Sequence, residues 1–253
     1  MPGLPNSRRK IARAKEHRDD FERKFAEFWR SHQQAGFFEP NPQIAKHEIF
    51  KIKILDPVPM DSFCNSVDDA VSNLRSALDS AGYALALGAG RVTKPKSTGF
   101  PFSDSADQLK GEIKRRCRDI PEEIYPIFHG YKPYPGGDDA LWALNQACNF
   151  NKHQGLIRLD IDPTFGNVDG VGALVRLLVP PRWDSTKQEI EVGTFIRGVE
   201  AHYNIEVGTS IAFDEIEFIG GEPVSRVFEY WIAVVEHLVS TLESEGTRLG
   251  FLK

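Results

Sequence analysis

The sequence predicts an α+β fold in which a helical N-terminal half packs on a C-terminal antiparallel β-meander closed by a final helix. Before residue 153, apolar residues recur three and four positions apart, which is the spacing of amphipathic helices. After residue 153, apolar and polar residues alternate over short segments bounded by Pro or Gly, which is typical of strands. A run of helices followed by a run of strands indicates helices packed on one face or end of an antiparallel sheet.

The composition is that of an ordinary globular protein. Of the 253 residues, 41% are hydrophobic and 26% are charged, so the chain can bury a sizeable core. The formal net charge of −5 argues against nonspecific nucleic-acid binding by the whole surface, although it leaves room for a local basic patch. No stretch approaches the roughly 18 apolar residues that a membrane span requires, so we expect no membrane partner.

Cysteine usage and the N-terminal residues favour a cytoplasmic protein. Cys64, Cys117 and Cys148 are odd in number and far apart, which predicts buried thiols in a reducing compartment. The basic N-terminus lacks the apolar core of a secretory signal.

Residues 1–40 are predicted to form an N-terminal segment dominated by a basic amphipathic helix over residues 8–32. Its apolar seam consists of Ile11, Ala14, Phe21, Phe25 and Phe28. Such a seam needs a partner, and a homo-oligomer formed through it is one expectation. Basic residues crowd the first turns, namely Arg8, Arg9, Lys10, Arg13, Lys15 and Arg18. They indicate a solvated face, acidic partners elsewhere in the chain, or an arm that contacts RNA.

Residues 41–253 are predicted to form a single α+β domain, with a helical part over residues 57–153 and the sheet and closing helix over residues 154–246. An early strand over residues 46–56 should join the sheet, because a lone strand would leave its backbone groups unpaired. Further strands are expected at residues 156–162, 171–179, 189–199 and 203–218. Together they predict the meander.

Two helices of the helical part carry charged faces. On the helix over residues 61–87, the side opposite the apolar stripe holds Asp68, Ser72, Arg75 and Asp79, so Arg75 can bridge carboxylates one turn above or about two turns below. This pattern fits either an ion-pair ladder or an arginine–aspartate pair held in a groove. The helix over residues 105–118 has a basic outward face, formed by Lys110, Lys114, Arg115, Arg116 and Arg118.

Residues 138–153 form the most unusual segment, an amphipathic helix with an uncharged polar line. Leu141, Leu144 and Cys148 form its apolar stripe. Asn145, Asn149 and His153 follow one another at intervals of four on a separate stripe, with Lys152 beside them. Asp138 is placed to cap the start of the helix and Gly155 to end it.

Motifs for common cofactors and metals are absent from the sequence. There is no glycine-rich dinucleotide or phosphate loop, no His-Glu-x-x-His, no Cys-x-x-Cys and no Gly-x-Ser-x-Gly. The seven histidines are scattered, so we expect neither a metal site nor a bound cofactor.

The segment Asn149-Phe150-Asn151-Lys152-His153 resembles the end of the motif in HEPN-domain ribonucleases, in which a polar residue precedes a histidine by four positions. In that family an arginine comes directly before the polar residue. Cys148 stands at this position here, and Arg75 could replace the arginine if its helix packs alongside. The resemblance implies metal-independent cleavage of RNA, in a family common in bacterial toxin and defence systems. His153 would act as general acid or base, Asn149 and Asn145 would orient the phosphate, and Lys152 or Arg75 would stabilise its charge.

Two hypotheses therefore follow from the sequence. In the first, the chain is a non-enzymatic interaction or scaffold protein, and the asparagines satisfy backbone groups or bridge to the Asp68–Asp79 side of the neighbouring helix. In the second, it is a HEPN-like metal-independent ribonuclease of a toxin or phage-defence system. The pairing of Leu74–Asp79, an LRSALD sequence, with a helix that ends in Asn-Lys-His is also similar to uncharacterised bacterial proteins.

Overall fold

Helices and antiparallel strands follow one another in blocks along the chain. The computed structural model describes residues 4–91, 93–154, 156–200 and 202–253, and the side chains of residues 151–154 lie outside that description. The helices are α1 (Pro5–Ser31), α2 (Met60–Gly88), α3 (Ala106–Arg116), α4 (Tyr125–Tyr131), which follows a 3-10 turn (Glu122–Ile124), α5 (Asp139–Gln154) and α6 (Val224–Arg248). The strands are β1 (Gln34–Pro40), β2 (His47–Ile54), β3 (Leu159–Val171), β4 (Leu174–Asp184), β5 (Glu189–Ile196) and β6 (His202–Phe213). The predicted α+β class is confirmed.

Helix α1 belongs to the main core, where it packs along α2 and α6. Three residues of its seam, Ile11, Ala14 and Phe21, are buried, and the Phe21 ring meets Phe63 of α2 edge-on with 5.8 Å between ring centroids. The seam that the sequence offered for a homo-oligomer is therefore covered from within the chain. Within the predicted N-terminal segment 1–40, α1 thus packs on α2, whose buried residues extend over most of its length.

Carboxylates of α6 neutralise the basic start of α1. Lys15 Nζ lies 2.8 Å from Glu236 Oε1, and Arg8 pairs with Glu243. Glu243 also accepts a 2.9 Å hydrogen bond from the backbone N–H of Leu4. Positive charge in a first turn opposes the helix dipole, so these acidic partners offset an unfavourable start.

The strands form two antiparallel sheets rather than one consecutive meander. The first has the order β1–β2–β5–β4, so the predicted early strand joins the C-terminal strands through β5. The second is a ribbon in which β3 pairs with β6. The β1–β2 hairpin takes the edge of β5 that β6 would occupy in a meander, which explains the departure from the predicted topology. The sequence also predicts no strand at the position of β1.

Helix α6 closes the molecule over β6 and the start of α5. The ring of Trp231 is fully buried and lies 5.5 Å from that of Phe213 on β6. Its indole N–H donates a 2.6 Å hydrogen bond to the carbonyl of Ala140 on α5. One side chain thus joins three elements and fixes α5 relative to the ribbon. None of the described helices is both long and apolar enough to cross a membrane.

Candidate functional site

Helix α5 begins where the sequence places its cap. One oxygen of Asp138 accepts a 2.8 Å hydrogen bond from the backbone N–H of Leu141, which satisfies a free donor of the first turn. The other oxygen accepts a 2.7 Å hydrogen bond from the hydroxyl of Tyr230 on α6. Burial and this bond raise the pKa of Tyr230, so the hydroxyl remains a donor. The predicted apolar stripe of Leu141, Leu144 and Cys148 is buried.

Helix α2 lies beside α5 and brings Arg75 to the polar line. Arg75 is only 7% exposed, and its Nε donates to Asn145 Oδ1 at 3.2 Å. Its Nη1 donates to Asp79 Oδ1 at 2.5 Å, which confirms the predicted pairing one turn away. The guanidinium carbon lies 4.7 Å from the centre of the Phe102 ring, within the range of a cation–π interaction. A single buried cation therefore holds α2, α5 and the loop before α3 together.

Asp79 extends this network into the same loop. The oxygen that pairs with Arg75 also accepts a 2.8 Å hydrogen bond from the backbone N–H of Phe100. The rings of Phe100 and Phe102 are buried, with 4.8 Å between their centroids. The loop that carries them is therefore anchored both by apolar packing and by the Arg75–Asp79 pair.

A polar groove of about 260 Å³ lies between α3 and α5. We call it the α3–α5 groove; it is lined by Phe102, Ser103, Asp104, Gln108, Glu112, Arg115, Arg116, Asn145, Gln146 and Asn149. Glu112 Oε2 lies 2.6 Å from Arg115 Nη2 and 2.8 Å from Arg116 Nε. The hydrogen bond from Arg115, followed by that from Arg116, lowers the pKa of Glu112. The groove thus contains two guanidinium groups that already bind an oxyanion, the carboxylate of Glu112.

The orientation of Asn145 turns amide donors towards the α3–α5 groove. Because its Oδ1 accepts from Arg75, its Nδ2 points away from the guanidinium. Asn145 is nine-tenths buried and lines the groove with the surface that remains. The amide N–H groups are consequently available to an acceptor in the groove.

A second cavity of about 310 Å³ lies on the other side of α5. We call it the α5 cleft; its lining residues are Trp142, Gln146, Asn149, Phe150, Glu215, Ile216 and Glu217. Gln146 and Asn149 line both cavities, so the two open onto the same stretch of α5. The sequence singled out Asn149 but gave no signal for the residues after β6, which reach α5 only through the fold.

The structure brings together only part of the predicted site. Arg75 and Asn145 are in contact, and Asn149 is exposed one turn further along α5. The backbone of Lys152 and His153 continues the helix, but their side chains lie outside the described residues. Gly155, the predicted end of the helix, also lies outside them.

Asp68 has a different role from the ladder that the sequence suggests. It is buried, and its Oδ1 accepts a 3.2 Å hydrogen bond from the backbone N–H of Ile157, at the junction between α5 and β3. Burial raises the pKa of Asp68 to about 6. The carboxyl is therefore matched to a backbone donor rather than to Arg75.

A cavity of about 540 Å³ lies beside the start of β3, where no sequence pattern predicts a site. Its wall includes Cys64 of α2, Asp160 of β3 and Trp183 of β4. Burial raises the pKa of Cys64 to about 11, so this thiol stays protonated and is a poor nucleophile near neutral pH. Among the described residues, no group of three His, Cys, Asp or Glu side chains is arranged to hold a metal ion.

Comparisons with family models, curated proteins and solved structures found no match to this chain. What the protein does is therefore inferred from the geometry of α5 and its neighbours.

Proposed function

We propose that this protein is a non-enzymatic interaction protein that binds single-stranded RNA in the α3–α5 groove. One observation carries the proposal: the groove places the arginines of α3 opposite the amides of α5. The basic face and the polar line, which are separate features of the sequence, become two walls of one cavity.

The groove chemistry suits a phosphodiester. Arginine forks bind phosphate oxygens through two parallel N–H groups, and Arg115 and Arg116 are both present. Glu112 holds them in the free protein, and a phosphate can take its place as their acceptor. The amide of Asn145, fixed by Arg75, supplies N–H donors from the opposite wall.

Binding without cleavage fits the described side chains better than catalysis does. Glu112 has a lowered pKa, so it is ionised near neutral pH and is a poor general acid. Arg75 is buried behind Asn145 and Phe102 and is already paired with Asp79. It therefore acts as a structural cation that orients Asn145.

Fluorescence anisotropy with a labelled oligouridine of about nine nucleotides tests this proposal, since single-strand sites of this size are common. Arg115→Ala and Arg116→Ala should weaken binding and each reduce the salt dependence by about 0.7 in the log–log slope. The matched control is Arg226→Ala, because Arg226 is an exposed arginine of α6 that pairs with Glu222, just before the helix. Unchanged affinity in both groove variants, or no binding by the unmodified protein, contradicts the proposal.

The second candidate is the HEPN-like ribonuclease, and one contact favours it. The resemblance requires an arginine from α2 beside α5, and Arg75 Nε lies 3.2 Å from Asn145 Oδ1. Labelled RNA incubated in EDTA with the unmodified protein and with His153→Ala separates the two functions. Cleavage that His153→Ala abolishes would establish the enzyme. Intact RNA in both reactions would leave binding as the function.

A further inference from the structure

The α5 cleft continues the α3–α5 groove across the helix. Gln146 and Asn149 border both cavities, so a ligand that passes over these two residues occupies both. The chemistry changes across the helix: the groove has Arg115 and Arg116 beside the acidic Asp104 and Glu112, whereas the charged residues of the cleft are Glu215 and Glu217. A chain with alternating anionic and neutral parts can satisfy both sides.

The lining of the cleft rejects phosphate and suits a flat ring. The Glu217 carboxylate repels an anionic backbone, whereas Glu215 is paired with Arg158, so phosphates are favoured on the arginine side of α5. Trp142 and Phe150 supply aromatic surface, and the Trp142 ring is held edge-on by Phe218 with 5.7 Å between ring centroids. A volume of about 310 Å³ lies at the small end of the range for ligand sites, which is roughly 300–1,000 Å³. It is suited to one nucleobase rather than to a longer segment.

The turn that carries the carboxylates is held in place. Arg158 Nη1 lies 2.5 Å from Glu215 Oε2, which occupies that carboxylate. The carbonyl of Ile216 accepts a 2.8 Å hydrogen bond from the backbone N–H of Gly220, which closes the turn around Glu217. Glu217 forms no salt bridge within the described part of the chain, so its carboxylate is the acceptor available to a ligand.

We infer that the α5 cleft receives one base of the bound RNA strand and prefers guanine, an inference that rests on the proposed RNA-binding function. Guanine presents two adjacent N–H donors on its pairing edge, and a carboxylate can accept both at once. Its O6 acceptor is matched by an amide N–H of Gln146 or Asn149. Adenine and cytosine each present one amino group next to a ring nitrogen acceptor, which would repel the second carboxylate oxygen. Uracil presents a single ring N–H between two carbonyl oxygens.

The experiment compares an oligouridine with the same strand carrying one central guanine, adenine, cytosine or inosine. The guanine strand should bind about tenfold more tightly than oligouridine, as a bidentate base contact would give. Inosine lacks the 2-amino group and should lose most of this gain. Glu217→Gln should remove the guanine preference, measured as the ratio of guanine-strand affinity to oligouridine affinity, because loss of one negative charge near the backbone acts equally on both strands. Glu229→Gln, which changes an exposed glutamate of α6, is the control and should retain the preference.

The outcomes separate the two proposals. If oligouridine binds and guanine adds nothing, or if Glu217→Gln keeps the preference, the base cleft is overturned and the RNA-binding function stands. If neither strand binds, the RNA-binding function fails and the inference fails with it. Circular dichroism of each variant identifies any loss of folding, and Phe150→Leu provides a second test of the cleft that alters no charge.

Discussion

Arg75→Met should destabilise the fold by about 3 kcal/mol, because it removes a buried cation that joins α2, α5 and the loop before α3. Loss of the bond to Asn145 leaves a buried acceptor unpaired, which costs about 1–3 kcal/mol. Loss of the contact with Phe102 costs about 1 kcal/mol or more in this desolvated setting. Asp79 has a 43% exposed side chain, so water replaces most of what it loses, at a cost of about 1 kcal/mol or less. Methionine keeps the apolar stem of the arginine, so little cavity is created.

Asp79→Ala should be at least as damaging as Arg75→Met, even though Asp79 is the more exposed partner. This variant leaves the buried guanidinium without its counterion, and an uncompensated buried charge costs about 3–5 kcal/mol. It also removes the acceptor for the backbone N–H of Phe100. The double variant should cost less than the sum of the two, because both changes break the same pair.

Urea titrations followed by circular dichroism at neutral pH measure these free energies of unfolding. Arg226→Met is the control; Arg226 lies on α6 in an exposed pair with Glu222, just before the helix, and the change should alter stability by about 0.5 kcal/mol or less. A loss below about 1 kcal/mol for Arg75→Met would refute the structural role of Arg75. It would also remove the physical basis for the fixed orientation of Asn145.

Two further changes test burial elsewhere. Burial raises the pKa of Asp68 to about 6, above the unfolded value of about 3.9. The folded state therefore favours the protonated carboxyl. This contribution to stability is complete below about pH 4 and is lost as the pH rises through about 6. Asp68→Asn should therefore leave stability unchanged near pH 4 and raise it by about 2 kcal/mol above pH 7; urea titrations that show the same difference at both pH values contradict this. Phe21→Ala should lower the free energy of unfolding by about 3–5 kcal/mol, because the ring is buried against Phe63. Light scattering should show no dissociation of the protein into smaller species, since the buried face of α1 packs within its own chain. If Phe21→Ala barely changed the free energy of unfolding but dissociated the protein into smaller species, an oligomer formed through α1 would be favoured instead.

The parts of the fold that the sequence predicted correctly are those that local spacing determines. The apolar stripes of α2 and α5 follow from the helical period over several turns. The cap at Asp138 and the pairing of Arg75 with Asp79 need only a separation of three or four residues. Each of these features could be predicted from neighbouring residues alone, and each is confirmed by the structure.

The features that could not be predicted depend on contacts between distant residues. The alternating pattern of the strands from β3 to β6 does not reveal that β3 pairs with β6. Any amphipathic strand presents the same backbone hydrogen-bonding edge to a neighbour. Asn145 and Arg75 are 70 positions apart. The spacing of the asparagines predicts a polar line on α5, but it does not identify Arg75 as the residue that Asn145 contacts. The α5 cleft could not be predicted for the same reason, since Glu215 and Glu217 follow β6 and reach α5 only through the fold.

If the groove binds RNA as proposed, two demands account for the absence of charge at Asn145 and Asn149, and only an amide meets both. An aspartate at 145 would add a second buried carboxylate beside an arginine already paired with Asp79, and it would repel phosphate from the groove. Asn149 is exposed, so only the second demand applies there. Asn145→Ala should therefore weaken both folding and RNA binding, whereas Asn149→Ala should weaken RNA binding alone. Urea titration and anisotropy on the same two proteins measure both effects, and a loss of stability in Asn149→Ala comparable to that in Asn145→Ala would contradict this division.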